Sequence, residues 1–184
     1  MQKAYDRVWR EGLWEKLAEY GMQGKMWRVL RSIYKCVESS VLLDDRNTRF
    51  FQIDVGLRQG CLLSPILFAI YINGLADEIN KACLGAKISP DARDEVSILM
   101  FADDIVLVSE DRKKLEELME ITYQYSRRWR FSFNYDKSAV VVFNSMRTEV
   151  KYGSCMNECM CGNHWKLGSK LIKQEIIYKY LGLN

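Results

Sequence analysis

Prolines, histidines and long apolar runs are scarce in this chain of 184 residues. It has two prolines, one histidine and no low-complexity tract, which argues against disorder along its whole length. No apolar run approaches the roughly 18 residues that span a bilayer. The start, MQKAYDRVWRE, is charged and does not read as a signal peptide. Because the six cysteines show no secretory spacing, we expect a reduced, intracellular protein, nuclear or cytoplasmic, without membrane contact.

Charge is distributed unevenly along the chain. Residues 1–35 carry eight Lys and Arg against four Asp and Glu, residues 36–125 carry nine against sixteen, and residues 126–184 carry ten against four. An acidic centre between basic flanks suits a metal site beside a polyanion. Ordinary solvated faces would give the same pattern, so charge alone does not decide.

The spacing of apolar residues predicts an α+β fold with helices on one face of an antiparallel sheet. We expect two helices in the first forty residues, the first from about Ala4 to Gly21, and a buried helix with Ser64 as N-cap and Pro65 in its first turn. A fourth helix is expected over about 111–130. The predicted strands are a hairpin from SSVLL and RFFQIDV, then SAVVVF, a hairpin in WKLGSKLIKQ, and a final IIYKYLGL.

Two adjacent carboxylates, Asp103 and Asp104, separate the strand-like segments SILMF and IVLVS. This arrangement predicts a hairpin with both aspartates at its tip. Asp is also common in turns for structural reasons. A divalent cation such as Mg²⁺ or Mn²⁺ would offset the repulsion between the carboxylates, which are the hard ligands it prefers. The pair therefore suggests a two-metal phosphoryl-transfer site, to which a second segment normally adds a carboxylate.

The FADD motif at 101–104, with GLRQGCLLSPILFAIYINGL at 56–75 before it, resembles the reverse transcriptases of non-LTR retrotransposons. KAYDRV at 3–8, FNYDKSAVVVF at 133–143 and YKYLGL at 178–183 are similar to further motifs of that family, in the same order. The resemblance implies a palm with a ferredoxin-like sheet backed by helices. It also implies an RNA-directed DNA polymerase that uses an RNA template, a DNA primer and dNTPs.

The resemblance also implies roles for individual residues. Asp103 and Asp104 would be catalytic metal ligands, and Lys137 would assist the leaving pyrophosphate. Tyr5 would stack under the nucleotide sugar, while Arg58, Gln59 and Gly60 would face the nascent base pair. Tyr5 could equally be a core residue, and Arg58 and Lys137 could be solvated surface residues.

One departure from the family pattern concerns its first motif. In the family an Asp precedes the Lys-Ala-aromatic triplet, but only Met1 and Gln2 precede Lys3. We therefore expect residues 1–184 to be an incomplete palm, without that Asp, the fingers or the thumb, and inactive alone. A truncated or domesticated remnant that binds nucleic acid without catalysis is the alternative.

A second departure is the cluster Cys155, Cys159, Cys161 and His164. Four such ligands within ten residues could hold Zn²⁺ and organise an interaction module. Because the spacing is not that of a standard zinc finger, we do not expect Zn²⁺ there.

Overall fold

The computed structural model describes residues 1–89, 94–143, 164–175 and 177–178. The chain divides into two compact units, Met1–Ser132 and Phe133–Asn184. Helices and short strands are both present, so the predicted α+β class is confirmed. Apart from residues 177–178, which are not in a strand, the predicted final strand lies outside the described residues, as do three of the four Cys/His cluster residues.

The first unit is built around its helices. These are α1 (Arg10–Glu19), α2 (Gly24–Lys35), α3 (Ser64–Ala82) and α4 (Arg112–Arg128). The central helix is α3, against which both α1 and α4 pack. Their contact faces carry fully buried aliphatic side chains at helical spacing, namely Leu13, Leu17, Leu75, Ile79 and Leu118. Burial of these side chains supplies most of the driving force for folding this unit.

Buried aromatic side chains join α3 to the end of α4. The Tyr71 hydroxyl donates a hydrogen bond to the Trp129 carbonyl, and the two rings meet edge to face with centroids 5.9 Å apart. The Tyr125 hydroxyl donates to the Tyr71 carbonyl at 3.4 Å. Burial raises the pKa of Tyr71 to about 12, because the ionised phenolate would lose its hydration.

The described strands of the first unit form four separate two-stranded antiparallel ladders. Between α2 and α3, β1 (Glu38–Ser39) pairs with β4 (Phe51–Gln52) around an inner hairpin of β2 (Leu42–Leu43) and β3 (Arg46–Asn47). After α3, β5 (Ala86–Lys87) pairs with β6 (Glu95–Val96). The last hairpin pairs β7 (Ile98–Phe101) with β8 (Asp104–Leu107).

The second unit contains one three-stranded sheet among its described residues. The hairpin of β10 (Trp165–Leu167) and β11 (Lys170–Glu175) is antiparallel, as expected from the sequence. Next to it, β11 pairs with β9 (Ala139–Val141) in parallel. The expectation of a purely antiparallel sheet is therefore wrong here, because it is the second strand of the hairpin that lies beside β9.

Two local expectations also need correction. Ser64 is not the N-cap of α3, since the helix already includes it and its hydroxyl donates to the Arg58 carbonyl at 2.6 Å. The first helix begins at Arg10 rather than near Ala4. Before it, the backbone bonds to the segment that precedes α3: Gly56 N–H donates to the Val8 carbonyl at 2.9 Å, and Leu57 N–H donates to the Tyr5 carbonyl at 2.7 Å.

Candidate active site

The β7–β8 hairpin presents the two aspartates at its tip, as the sequence predicted. Phe101 pairs with Asp104, and Ala102 and Asp103 form the turn between the strands. Ala102 has a φ of 49°, in the left-handed region that a tight hairpin turn requires. Along the strands, Ile98, Met100, Ile105 and Leu107 pack against the buried core of the unit. The hairpin is thus anchored by its strands while its tip reaches solvent.

Asp103 and Asp104 are both accessible at that tip. The Asp103 side chain is 43% exposed, and its Oδ2 lies 3.6 Å from the amino group of Met1. The same amino group donates to the Asp103 backbone carbonyl at 2.9 Å. Asp104 is exposed. Met1 therefore lies directly beside the acidic tip, a contact that no pattern in the sequence indicated.

The segment around Tyr5 lies against the turn that contains Gln59. Gln59 Nε2 donates to Asp6 Oδ1 at 2.6 Å, in addition to the backbone bond between Leu57 and Tyr5. Gly56 has a φ of 83°, and a Cβ there would lie 2.5 Å from the Asp6 carbonyl oxygen. Glycine is therefore required at this position for both backbone conformation and space. The segment around Tyr5 and the turn that contains Gln59 belong to separate sequence motifs and are in direct contact.

The remaining predicted substrate residues surround this contact. Tyr5 lies in a one-turn 3₁₀ helix, Tyr5–Arg7, and is half-buried, with its ring stacked on Phe68 at a centroid distance of 4.9 Å. Arg58, Gln59 and Gly60 are exposed. Gly60 has a φ of 76°, and within the described ranges no atom lies within 4 Å of where its Cβ would stand. The turn thus has open space in front of its backbone.

Arg10 fixes this turn from behind, a role that sequence reasoning missed. Its side chain is 6% exposed. It donates to the carbonyls of Ile53 at 2.8 Å, Gly56 at 2.9 Å, Tyr34 at 3.1 Å and Val55 at 3.3 Å. Burial lowers the pKa of Arg10, while the electrostatic influence of nearby Tyr34, Asp54 and Glu11 opposes that shift. The Arg10 side chain therefore connects the C-terminal end of α2 to the segment that precedes Arg58.

A signal for Arg10 was present in the helical spacing. Arg10 precedes Leu13, Trp14 and Leu17 by three, four and seven residues, which places it on the apolar face of α1. A charged residue on such a face is rarely buried unless its donors are satisfied. The spacing therefore indicated a buried cation, although not the carbonyls that it contacts.

Lys137 belongs to the second unit. It ends a one-turn 3₁₀ helix, Tyr135–Lys137, just before β9, and is exposed. Its backbone N–H lies 3.3 Å from Asn134 Oδ1, and its carbonyl accepts from the Tyr178 hydroxyl at 2.8 Å. The residue thus precedes a strand rather than lying within one.

The described ranges contain no large cluster of metal-binding side chains. No three His, Cys, Asp or Glu side chains cluster there in a way that could hold an ion. Cys155, Cys159 and Cys161 lie outside those ranges, so the expectation that this cluster does not bind Zn²⁺ stays a prediction. No described helix is long and apolar enough to cross a membrane.

Comparison with known proteins identifies the class to which this fold and these motifs belong. The family model described as "Reverse transcriptase (RNA-dependent DNA polymerase)" matches residues 1–184. The chain therefore belongs to the reverse transcriptase family.

Individual relatives narrow the class to non-LTR retrotransposons. "RNA-directed DNA polymerase from mobile element jockey" of Drosophila funebris is 27% identical over all of this chain and 18% of its own length. "Retrovirus-related Pol polyprotein from type-1 retrotransposable element R2" of Popillia japonica is 26% identical over 77% of this chain and 23% of its own. "Transposon TX1 uncharacterized 149 kDa protein" of Xenopus laevis is 28% identical over 80% and 11%. The chain is a reverse transcriptase domain of this type, and it spans about a fifth of the jockey and R2 relatives.

Proposed function

We propose that the β7–β8 hairpin supplies two metal-binding carboxylates to the palm of an RNA-directed DNA polymerase. The observation that carries this proposal is the contrast within the hairpin. Its strands are anchored in the core through Ile98 and Ile105, while Asp103 and Asp104 stand accessible at the tip. Such a rigid base fixes the carboxylates in position without burying them, which suits the repeated binding and release of a charged substrate.

The donor set fits a hard divalent cation such as Mg²⁺ or Mn²⁺. Carboxylate oxygens at an exposed tip satisfy the preference of these ions for oxygen ligands and leave room for coordinated water. Bound there, the ions would activate the primer 3′ hydroxyl and neutralise the leaving pyrophosphate. Two carboxylates from one hairpin leave much of the coordination shell to water, so we expect weak binding. A further carboxylate from another segment is needed for catalysis, since Asp6 already accepts from Gln59.

The turn held by Arg10 is the proposed contact for the incoming nucleotide and its template base. The amide of Gln59 can hydrogen-bond a base or sugar edge, and the open space at Gly60 allows the ligand to approach the backbone closely. Arg58 would contact phosphate. Tyr5 would exclude a 2′ hydroxyl by bulk, and its stacking on Phe68 fixes the ring orientation. In the second unit, Lys137 would donate charge or a proton to the leaving group.

The whole reaction requires more polypeptide than residues 1–184 in this proposal. We assign these residues to a partial palm that works with fingers and thumb on a template RNA, a DNA primer and dNTPs. The relatives named for polymerase activity are about five times longer than the matching segment, which is consistent with such an arrangement. Among the described residues, no contact or cluster favours a non-catalytic remnant or a zinc-organised module over the proposed polymerase.

Primer extension on an RNA template with dNTPs and Mg²⁺ tests the proposal. We expect residues 1–184 alone to give no measurable extension, because among the described residues no third carboxylate joins Asp103 and Asp104. The longest polypeptide encoded around these residues should extend the primer, and Asp103→Ala in that polypeptide should abolish extension.

The control for that assay is Asp77→Ala, which removes an exposed carboxylate from α3. This variant should extend the primer as the parent does. Extension that survives Asp103→Ala would overturn the assignment of Asp103, and extension by residues 1–184 alone would show that the hairpin needs no further ligand.

A further inference from the structure

A strip of positive charge runs along α2, a helix that carries none of the residues assigned to the polymerase site. Four cationic side chains lie within this helix, which contains no carboxylate, and all four are exposed. They are Lys25, Arg28, Arg31 and Lys35, here termed the α2 cations. With 3.6 residues per turn, the last three lie within about 60° of one another around the helix axis. The opposite face buries Leu30 and Tyr34, so the strip is fixed toward solvent.

Within the described ranges, the α2 cations lack the carboxylate partners that several other basic residues of the unit have. Ion pairs with carboxylates are formed by Lys16, Arg112, Lys114 and Arg128. Among the described residues, no such ion pair includes any α2 cation. Their charge is therefore balanced by solvent ions, which a polyanion releases on binding.

A cavity of about 750 Å³ lies beside this strip, lined mainly by α1 and α2. Three of the α2 cations line it, together with the carboxylates Glu11 and Asp54. Both carboxylates act electrostatically on the buried Arg10 guanidinium, which also lines the cavity. Glu11 and Asp54 offset the charge of Arg10. The three α2 cations that line the cavity therefore give it an excess of positive charge.

The aromatic residues of the cavity favour recognition of charge over recognition of bases. Trp14 and Tyr34 are buried and meet edge to face, with centroids 5.8 Å apart. The Arg31 guanidinium lies over the Trp27 ring, 4.6 Å from its centroid. This stacking holds the guanidinium plane in place and leaves its edge N–H groups free to meet phosphate oxygens. Contacts of this kind do not depend on base sequence.

We propose that the α2 cations and the adjoining cavity bind the phosphodiester backbone of a nucleic-acid strand. The inference rests on the proposed function only in that a polymerase of this family handles such strands. From Lys25 to Lys35 the strip extends about 15 Å, which is long enough to contact more than one phosphate of a strand. The surface positions a strand and takes no part in the chemical step.

Equilibrium binding to a fluorescent 20-nucleotide RNA, measured from low to moderate salt, tests this proposal. The variant Arg28→Gln/Arg31→Gln/Lys35→Gln should bind about tenfold more weakly at low salt, and its slope of log K against log salt should be smaller by about 2. Gln preserves helix propensity at these exposed positions, so α2 should remain folded. A parallel titration with an RNA–DNA hybrid distinguishes a surface for single strands from one for the product duplex.

The matched control removes the same charge elsewhere in the first unit. Lys81→Gln/Lys87→Gln/Lys113→Gln alters three exposed lysines away from α2. This variant should keep most of the affinity and the salt slope. Equal losses in both triple variants would overturn the proposal, because net charge rather than α2 would then govern binding. Displacement of RNA by polyglutamate at equal charge concentration would also overturn it, in favour of an acidic protein partner.

Failure of this proposal is distinguishable from failure of the polymerase assignment. If the unaltered chain binds RNA and the α2 triple variant binds it equally well, only the α2 surface is rejected. If the unaltered chain does not bind RNA even at low salt, the α2 surface is rejected and the primer-extension assay judges the polymerase assignment separately.

Discussion

Two hairpins of this chain carry adjacent aspartates, and they use them differently. Asp44 and Asp45 connect β2 to β3 and have φ values of 43° and 63°. Both therefore serve the left-handed turn that a two-residue connection favours. In the second hairpin only Asp103 lies in the turn, where Ala102 supplies the positive φ, and Asp104 already pairs with Phe101. The Asp-Asp dipeptide therefore forms the whole turn of the β2–β3 hairpin, whereas in the β7–β8 hairpin it spans the end of the turn and the start of β8.

The strands on either side explain the difference. The β2–β3 strands have two residues each, and Leu42 and Leu43 are 64% and 61% exposed. The β7–β8 strands have four residues each, and Ile105 is one of the side chains that pack against the core. A carboxylate pair can hold an ion in fixed geometry only if its supporting backbone is held. The packing behind the pair therefore separates a candidate site from an ordinary turn.

The largest effect should come from removing the anchor of the β7–β8 hairpin. Ile105→Ala should lower the free energy of unfolding by about 2 kcal/mol, because it removes partly buried methyl and methylene groups. Leu43→Ala in the other hairpin should change it by less than about 0.5 kcal/mol, since that side chain is mostly exposed. Urea unfolding followed by tryptophan fluorescence measures both. Equal effects of the two substitutions would remove the structural basis of the comparison.

A smaller effect should follow from improving the first turn. Asp44→Asn/Asp45→Gly introduces the residue pair that this turn geometry prefers, because Gly adopts positive φ without strain. We expect a stabilisation of about 0.5 kcal/mol. Thermal unfolding would detect it as a small rise in midpoint. A loss of stability would show that the aspartates at 44 and 45 do more than form the turn.

Sequence reasoning predicted the elements better than their connections. The hairpin at Asp103 was predictable because branched and aromatic residues on both sides left a single polar break. The carbonyls that accept from Arg10 and from the Ser64 hydroxyl were not predictable, because most of them belong to the irregular chain between β4 and α3. Such contacts between a side chain and backbone carbonyls leave no periodic pattern in the sequence.

The parallel pairing of β11 with β9 was missed for a related reason. Two strand-like segments and a hairpin do not specify which hairpin strand lies next to the earlier one. By contrast, the contact between Gln59 and Asp6 had a partial signal, since both residues belong to segments that resembled one family. The family resemblance connects these two segments. The spacing of apolar and polar residues, by contrast, gives no reason to expect a contact between them.

Manganese titration followed by NMR line broadening tests the central claim most directly. The account predicts that Mn²⁺ broadens resonances around Asp103 and Asp104 at concentrations that leave those around Asp44 and Asp45 unaffected. Asp103→Asn should remove the broadening while changing the free energy of unfolding by less than about 0.5 kcal/mol, because the side chain is exposed. Asp44→Asn should leave the broadening intact. Equal broadening at both aspartate pairs, or broadening that persists in Asp103→Asn, would contradict the assignment of a metal site to the β7–β8 hairpin.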